Sequence, residues 1–229
     1  MKKIIIPLSI VSVCVAACSC AGLLNGPDNG DVPDGITIEE MNEKGYSIKL
    51  AYTGEYESDS GYLVYSRKGK KYRWDAVTRS TVSACYYDRA SQTGRQYYES
   101  LGSEEQEGAE WEDYDYYRCQ QTVNNLYAEW VQDCSRLLSK YGYSMTGKAT
   151  VLNLPCDVWS GTYSKGDNAF GAVAYGMIAR EGNSGEFYIW NGLALRTKVN
   201  GKTQTECTNI VVGIPDSVFT DTVDLSWIK

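Results

Sequence analysis

From Tyr46 onward the chain alternates apolar and polar positions over short stretches, the two-residue period of half-buried strands. Residues 46–52 alternate loosely. Residues 62–66 and 71–75 flank Arg67-Lys68-Gly69-Lys70, which reads as a hairpin turn. In the second arm Tyr72 and Trp74 share one face, and Lys71, Arg73 and Asp75 share the other. That pattern predicts one covered face and one wet face. Residues 81–88 and 95–100 flank a second turn at Ser91-Gln92-Thr93-Gly94. Further candidate strands are 148–154, 157–160, 171–179, 186–190, 193–199 and 203–212, with tight-turn signals at Asn191-Gly192 and Asn200-Gly201. Short strands joined by antiparallel turns predict a mainly β fold, a meander or partly closed barrel.

One long stretch changes period. Val123, Leu126, Tyr127, Trp130, Val131, Cys134, Leu137, Leu138 and Tyr141 step by three and four, one apolar stripe on a helix predicted over 122–141. Thr122 is the expected cap and Gly142 the expected left-handed stop. A stripe of this kind packs on a sheet. Before it, residues 104–115 carry Glu104, Glu105, Glu107, Glu110, Glu112, Asp113 and Asp115, with Trp111, Tyr114, Tyr116 and Tyr117 in or beside them. This reads as a solvated loop whose rings pack back on the body, or as a recognition loop.

The N-terminus has no strand pattern. Lys2 and Lys3 precede an apolar run over 4–17, broken only by Pro7, Ser9 and Ser12. A basic start and an apolar run too short to span a bilayer read as a secretory signal. The run ends Val15-Ala16-Ala17-Cys18, which resembles a bacterial lipoprotein box. The resemblance implies cleavage before Cys18, lipid on its thiol and an acylated amine; Cys20 is a second position for cleavage. Ser19 after it implies outer-membrane sorting by the proteobacterial rule. Residues 21–35 are mostly Gly, Pro, Asp and Asn, the composition of a tether. Asp28, Asp31 and Asp34 miss the spacing of a calcium loop around Gly35. The expected plan is a signal peptide over 1–17, a lipidated cysteine and flexible tether over 18–44, and one domain over 45–229.

Composition narrows the chemistry. The formal charge is −7, and an acidic surface repels phosphate backbones, so nucleic acid is not an expected partner. With no His among the 229 residues, Ser–His and Cys–His catalysis and imidazole ligation are excluded. Residues 142–149 nearly spell a phosphate loop but lack the hydroxyl after Lys148, and they follow a helix instead of preceding one. No metal or cofactor is expected. Outside the signal and Cys18, cysteines stand at Cys20, Cys85, Cys119, Cys134, Cys156 and Cys207. They lack metal-site spacing, so disulfides are the better reading in an exported protein, with connectivity open. The 19 Tyr and 6 Trp against 3 Phe suit walls apolar on one side and wet at the tip. Tyr72, Trp74, Trp111, Tyr114 and Trp190 are the candidate ligand-binding rings.

Two stretches carry a family resemblance. One is Thr146-Gly147-Lys148-Ala149-Thr150-Val151-Leu152-Asn153-Leu154-Pro155-Cys156-Asp157-Val158-Trp159. The other runs from Phe187-Tyr188-Ile189-Trp190-Asn191-Gly192-Leu193 through Glu206-Cys207-Thr208 to Ile214-Pro215-Asp216-Ser217-Val218-Phe219. Together they resemble uncharacterised envelope lipoproteins akin to the LolA/LolB lipoprotein carriers. The resemblance implies an incomplete antiparallel β-barrel, a helix closing one mouth, an apolar concave face and no catalytic residues. The expected function is a non-enzymatic envelope lipoprotein, membrane-bound through its N-terminal lipid, whose half-barrel holds a lipid or acyl chain. The alternative is a surface lipoprotein that binds glycan or protein through its aromatic and acidic loops.

Overall fold

The computed structural model describes residues 32–53, 60–101, 109–123, 138–139, 142–162 and 182–223. In chain order they form α1 (Ile38–Lys44), β1 (Tyr46–Tyr52), β2 (Gly61–Lys68), β3 (Lys71–Thr78), β4 (Thr81–Asp88), β5 (Thr93–Ser100), β6 (Glu112–Asp113) and α2 (Tyr116–Val123). Then follow β7 (Ser144–Val151), β8 (Leu154–Thr162), β9 (Ser184–Trp190), β10 (Leu193–Val199) and β11 (Lys202–Val212). The 11 strands make one antiparallel sheet in the order β6-β5-β4-β3-β2-β1-β11-β10-β9-β8-β7. Two meanders are thus joined where β11 returns to pair with β1. The ends β6 and β7 do not pair with each other, so the fold is the expected mainly β, incomplete barrel.

Turn chemistry sets much of this path. Asn191-Gly192 and Asn200-Gly201 have positive φ at both residues (47° and 78°, 50° and 76°), the mirror-image turn that matches strand twist. The β7–β8 turn uses Leu152 and Asn153 at 49° and 59°. The strand expected over 148–154 therefore ends at Val151 and the chain reverses. No glycine marks that turn, which is why the pattern ran through it. The second hairpin turns at 89–92, not at 91–94, and Thr93 and Gly94 belong to β5. Register shifts between Lys49 and Leu50, Met145 and Gly147, Ala194 and Arg196, and Thr197 and Lys198 mark bulges. Bulges bend and twist their strands, which helps the sheet curl. β2 through β5 keep unbroken register.

Other expectations change as well. Residues 36–44, expected as the end of the tether, are folded. Thr37 caps α1 in a reciprocal capping box with Glu40, and Met41 is fully buried. At the start of the helix expected from 122, a helix already runs over Tyr116–Val123, and Asp115 accepts from Arg118 N at 3.0 Å in the capping position, so Thr122 lies inside α2. Leu138 and Ser139 are helical and Gly142 takes the left-handed stop at φ 80°. Most of the predicted helix (124–137 and 140–141), the strand at 171–179, Cys18, Cys20, Cys134 and the N-terminal segment lie outside the described residues. The outer face of β3 is not wet. Arg73 is 5% exposed because 218–222 crosses it. Its guanidinium donates to Val218 O (2.8 Å), Thr220 O (2.9 Å), Thr222 O and the Asp75 carboxylate (2.7 Å). Glu112 and Asp113, read as loop, form the short edge strand β6.

Candidate functional site

Register lines up side chains in rows across the inner face of β1–β5. One row is Tyr46, Arg67, Tyr72, Tyr87 and Gly94; the next is Ile48, Tyr65, Trp74, Cys85 and Gln96. Ile36, Met41 and Cys119 pack into the same core, bringing α1 and α2 onto this face. Tyr72 stacks on Tyr87 at 4.7 Å and 3°, and Tyr116 meets Tyr87 edge-on at 5.7 Å.

Arg67 interrupts this aromatic face. It is 8% exposed, and its guanidinium carbon lies 5.0 Å from the Tyr72 ring centre. Arg67 Nε has no hydrogen-bond partner, and no carboxylate pairs with the guanidinium among the described residues. Beside it, burial pushes the Tyr46 and Tyr65 phenols well above their ordinary range, and the Arg67 charge pulls both back. Tyr46 Oη is also buried without a well-formed hydrogen bond. Arg89 stands 5.0 Å from the Tyr72 ring centre at the more exposed end. A buried cation held by ring quadrupoles and the Tyr46 phenol, with no carboxylate on it among the described residues, is incompletely compensated. It can accept an anion in a setting whose low polarity strengthens the pair.

The candidate rings fall in different places. Tyr72 and Trp74 sit on the inner face, and Tyr114 packs partly buried against the same core. Trp190 belongs to that core and also lines an open cleft of about 460 Å³. Val32, Ile36, Ile38 and Leu154 share the cleft's apolar wall, and Asp34, Glu39, Asn153 and Asn191 its polar one. That volume lies in the range of small-molecule sites. Trp111 lies on the other side of the sheet, near Tyr86 (5.4 Å), Tyr97 (5.7 Å) and Arg73 (5.4 Å). The chain wraps round the β6 edge between Trp111 outside and Tyr114 inside.

The sequence reading missed Arg67 by assigning it to a turn. The signal was present: Leu63, Tyr65 and Arg67 share a two-residue period, and β2 runs on to Lys68. Among the described residues no group of His, Cys, Asp and Glu could hold a metal ion, and no helix is long and apolar enough to cross a membrane. The chain matches no protein-family model and no curated protein.

Proposed function

We propose that the half-barrel binds an amphiphile, an acyl chain or lipid carrying an acidic head, in a non-enzymatic lipoprotein of the cell envelope. The observation that carries this reading is Arg67, a buried cation with no carboxylate on it among the described residues, on an otherwise mostly apolar and aromatic face. The acidic head pairs with Arg67 beside Tyr46, in the row that carries Tyr72 and Tyr87. The Cys18 box supports the rest of the reading, a lipid anchor in the outer membrane of a Gram-negative bacterium. Resemblance to the LolA/LolB-like carriers fits the same picture.

The test is titration of lipid-stripped protein with a fluorescent fatty acid and with the corresponding fatty alcohol. Wild type should bind the acid saturably and roughly 10–100-fold more tightly than the alcohol, the range of a hydrogen bond to a charged group. Arg67→Met should abolish that preference and keep alcohol binding. Equal affinity for acid and alcohol in wild type would remove the headgroup role of Arg67. No saturable binding of either would remove the acyl-ligand reading. It would favour surface recognition instead, through rings such as the exposed Tyr98 and Tyr117 (63% and 67%).

A further inference from the structure

Cys85, Cys119, Cys156 and Cys207 are all buried thiols. Cys156 and Cys207 give their S–H groups to the nearby carbonyls of Leu154 (3.5 Å) and Asn209 (3.4 Å). Cys85 and Cys119 lie in one buried cluster. Cys85 lies on the inner face of β4, between Trp74 and Gln96. Cys119, on α2, is fully buried and gives its S–H to Arg95 O at 3.7 Å. Its close approach depends on Gly94, where a Cβ would stand 2.6 Å from the Cys119 sulfur. The Cys119 sulfur also accepts from the Cys85 S–H, which holds the Cys85 proton on and draws the Cys119 thiol below its ordinary range.

We propose that Cys85 and Cys119 form a disulfide that staples α2 to the sheet. It joins residues 34 apart in sequence, one on β4 and one on α2. The oxidant is the disulfide of a thiol–disulfide oxidoreductase. The Cys119 thiolate attacks it, forming a mixed disulfide and expelling one oxidoreductase thiolate. The Cys85 thiolate then attacks the Cys119 sulfur, closing the Cys85–Cys119 bond and expelling the second. Two thiols of this chain are oxidised, one oxidoreductase disulfide is reduced to a dithiol, and the two protons pass to that dithiol. Because both cysteines are buried once α2 is docked, the exchange precedes docking. Closed, the bond is sheltered from reductants.

The chain refolded with glutathione disulfide as oxidant, then alkylated and digested without reduction, should yield a linked Cys85–Cys119 peptide pair two hydrogens lighter than its parts. Trypsin leaves Cys119 and Cys134 on one peptide (119–136), so a second cut by chymotrypsin at Tyr127 or Trp130 separates them. Alkylation of both Cys85 and Cys119, or either one joined to another cysteine, overturns the proposal. A second readout is thermal. Reduction should lower the melting midpoint of the oxidised wild type by roughly 8–15 °C, the shift for a loop of this length in a chain of this size. Cys85→Ala, Cys119→Ala and the double variant should melt together and ignore the reductant. Additive losses in the single variants, with a wild type indifferent to reductant, would also overturn it.

Discussion

Arg67 and Arg73 are buried to nearly the same extent, 8% and 5% exposed, on neighbouring strands of one hairpin. On the outer face, Arg73 meets the Asp75 carboxylate and the carbonyls of Val218, Thr220 and Thr222. The same crossing segment is held by Lys68 and Lys71 on Asp216, and by Arg95 and Tyr86 on Asp221. On the inner face, Arg67 meets aromatic rings and no carboxylate among the described residues. Equal burial therefore carries opposite meanings. A buried charge with every donor placed is part of the fold, and removing it strands its partners. A buried charge left short of partners costs stability, and such costs concentrate where a ligand completes the set.

The sharpest way to break this contrast is to delete each guanidinium in turn. Arg73→Met leaves Asp75 and the carbonyls of 218–222 without their donor, and should cost about 3–5 kcal/mol. A urea midpoint shift worth less than about 1 kcal/mol would show that the outer clamp holds nothing. Arg67→Met should act in the opposite direction. It replaces an incompletely paired buried cation by an apolar chain, and should stabilise the ligand-free protein by about 1–3 kcal/mol while losing the preference for acids. Destabilisation by Arg67→Met in the lipid-stripped protein would mean that its charge is already compensated.

The outer clamp also predicts a small acid response. Hydrogen bonds from Lys71 and Lys68 hold the Asp216 carboxyl down to about 2, below its ordinary 3.8. A depressed carboxylate contributes stability that is present above the unfolded value and lost as pH falls through the folded one. The window is therefore from about pH 4 down to about pH 2. Asp216 is 62% exposed, so solvent screens the pair and the effect should stay under about 1 kcal/mol. Acid titration of wild type against Asp216→Asn, followed by amide exchange in 214–222, reads it. Identical exchange across that window in both would place the hold on the segment in Arg73 and Arg95 alone.

Legibility followed the range of each interaction. Asn191-Gly192 and Asn200-Gly201 were readable because a left-handed turn is a local backbone demand that Asn and Gly meet. Leu152-Asn153 was not, since its turn is held by the pairing of β7 with β8 on either side. The alternation in β3 placed Tyr72 and Trp74 inward correctly, but polarity was a poor guide to the face that carries Arg73. A segment some 145 residues further on supplies the carbonyls that bury it. The rings were readable as a class and not as a site, because Trp111 and Tyr114 lie three residues apart on opposite sides of the sheet.

What the sequence determined by itself is the material and its local grammar. Two-residue periods specify strands, Asn-Gly pairs specify where they reverse, and the absence of His removes whole classes of chemistry. Periodicity is a statement about near neighbours, so it holds before anything packs. Tertiary structure alone decided that β11 pairs with β1 to make one curled sheet, and that Cys119 comes to rest on Gly94 beside Cys85. It also decided which of two buried arginines is paired. Partnership of a buried charge depends on groups brought from distant parts of the chain, and a charge's own neighbours in sequence carry no record of them.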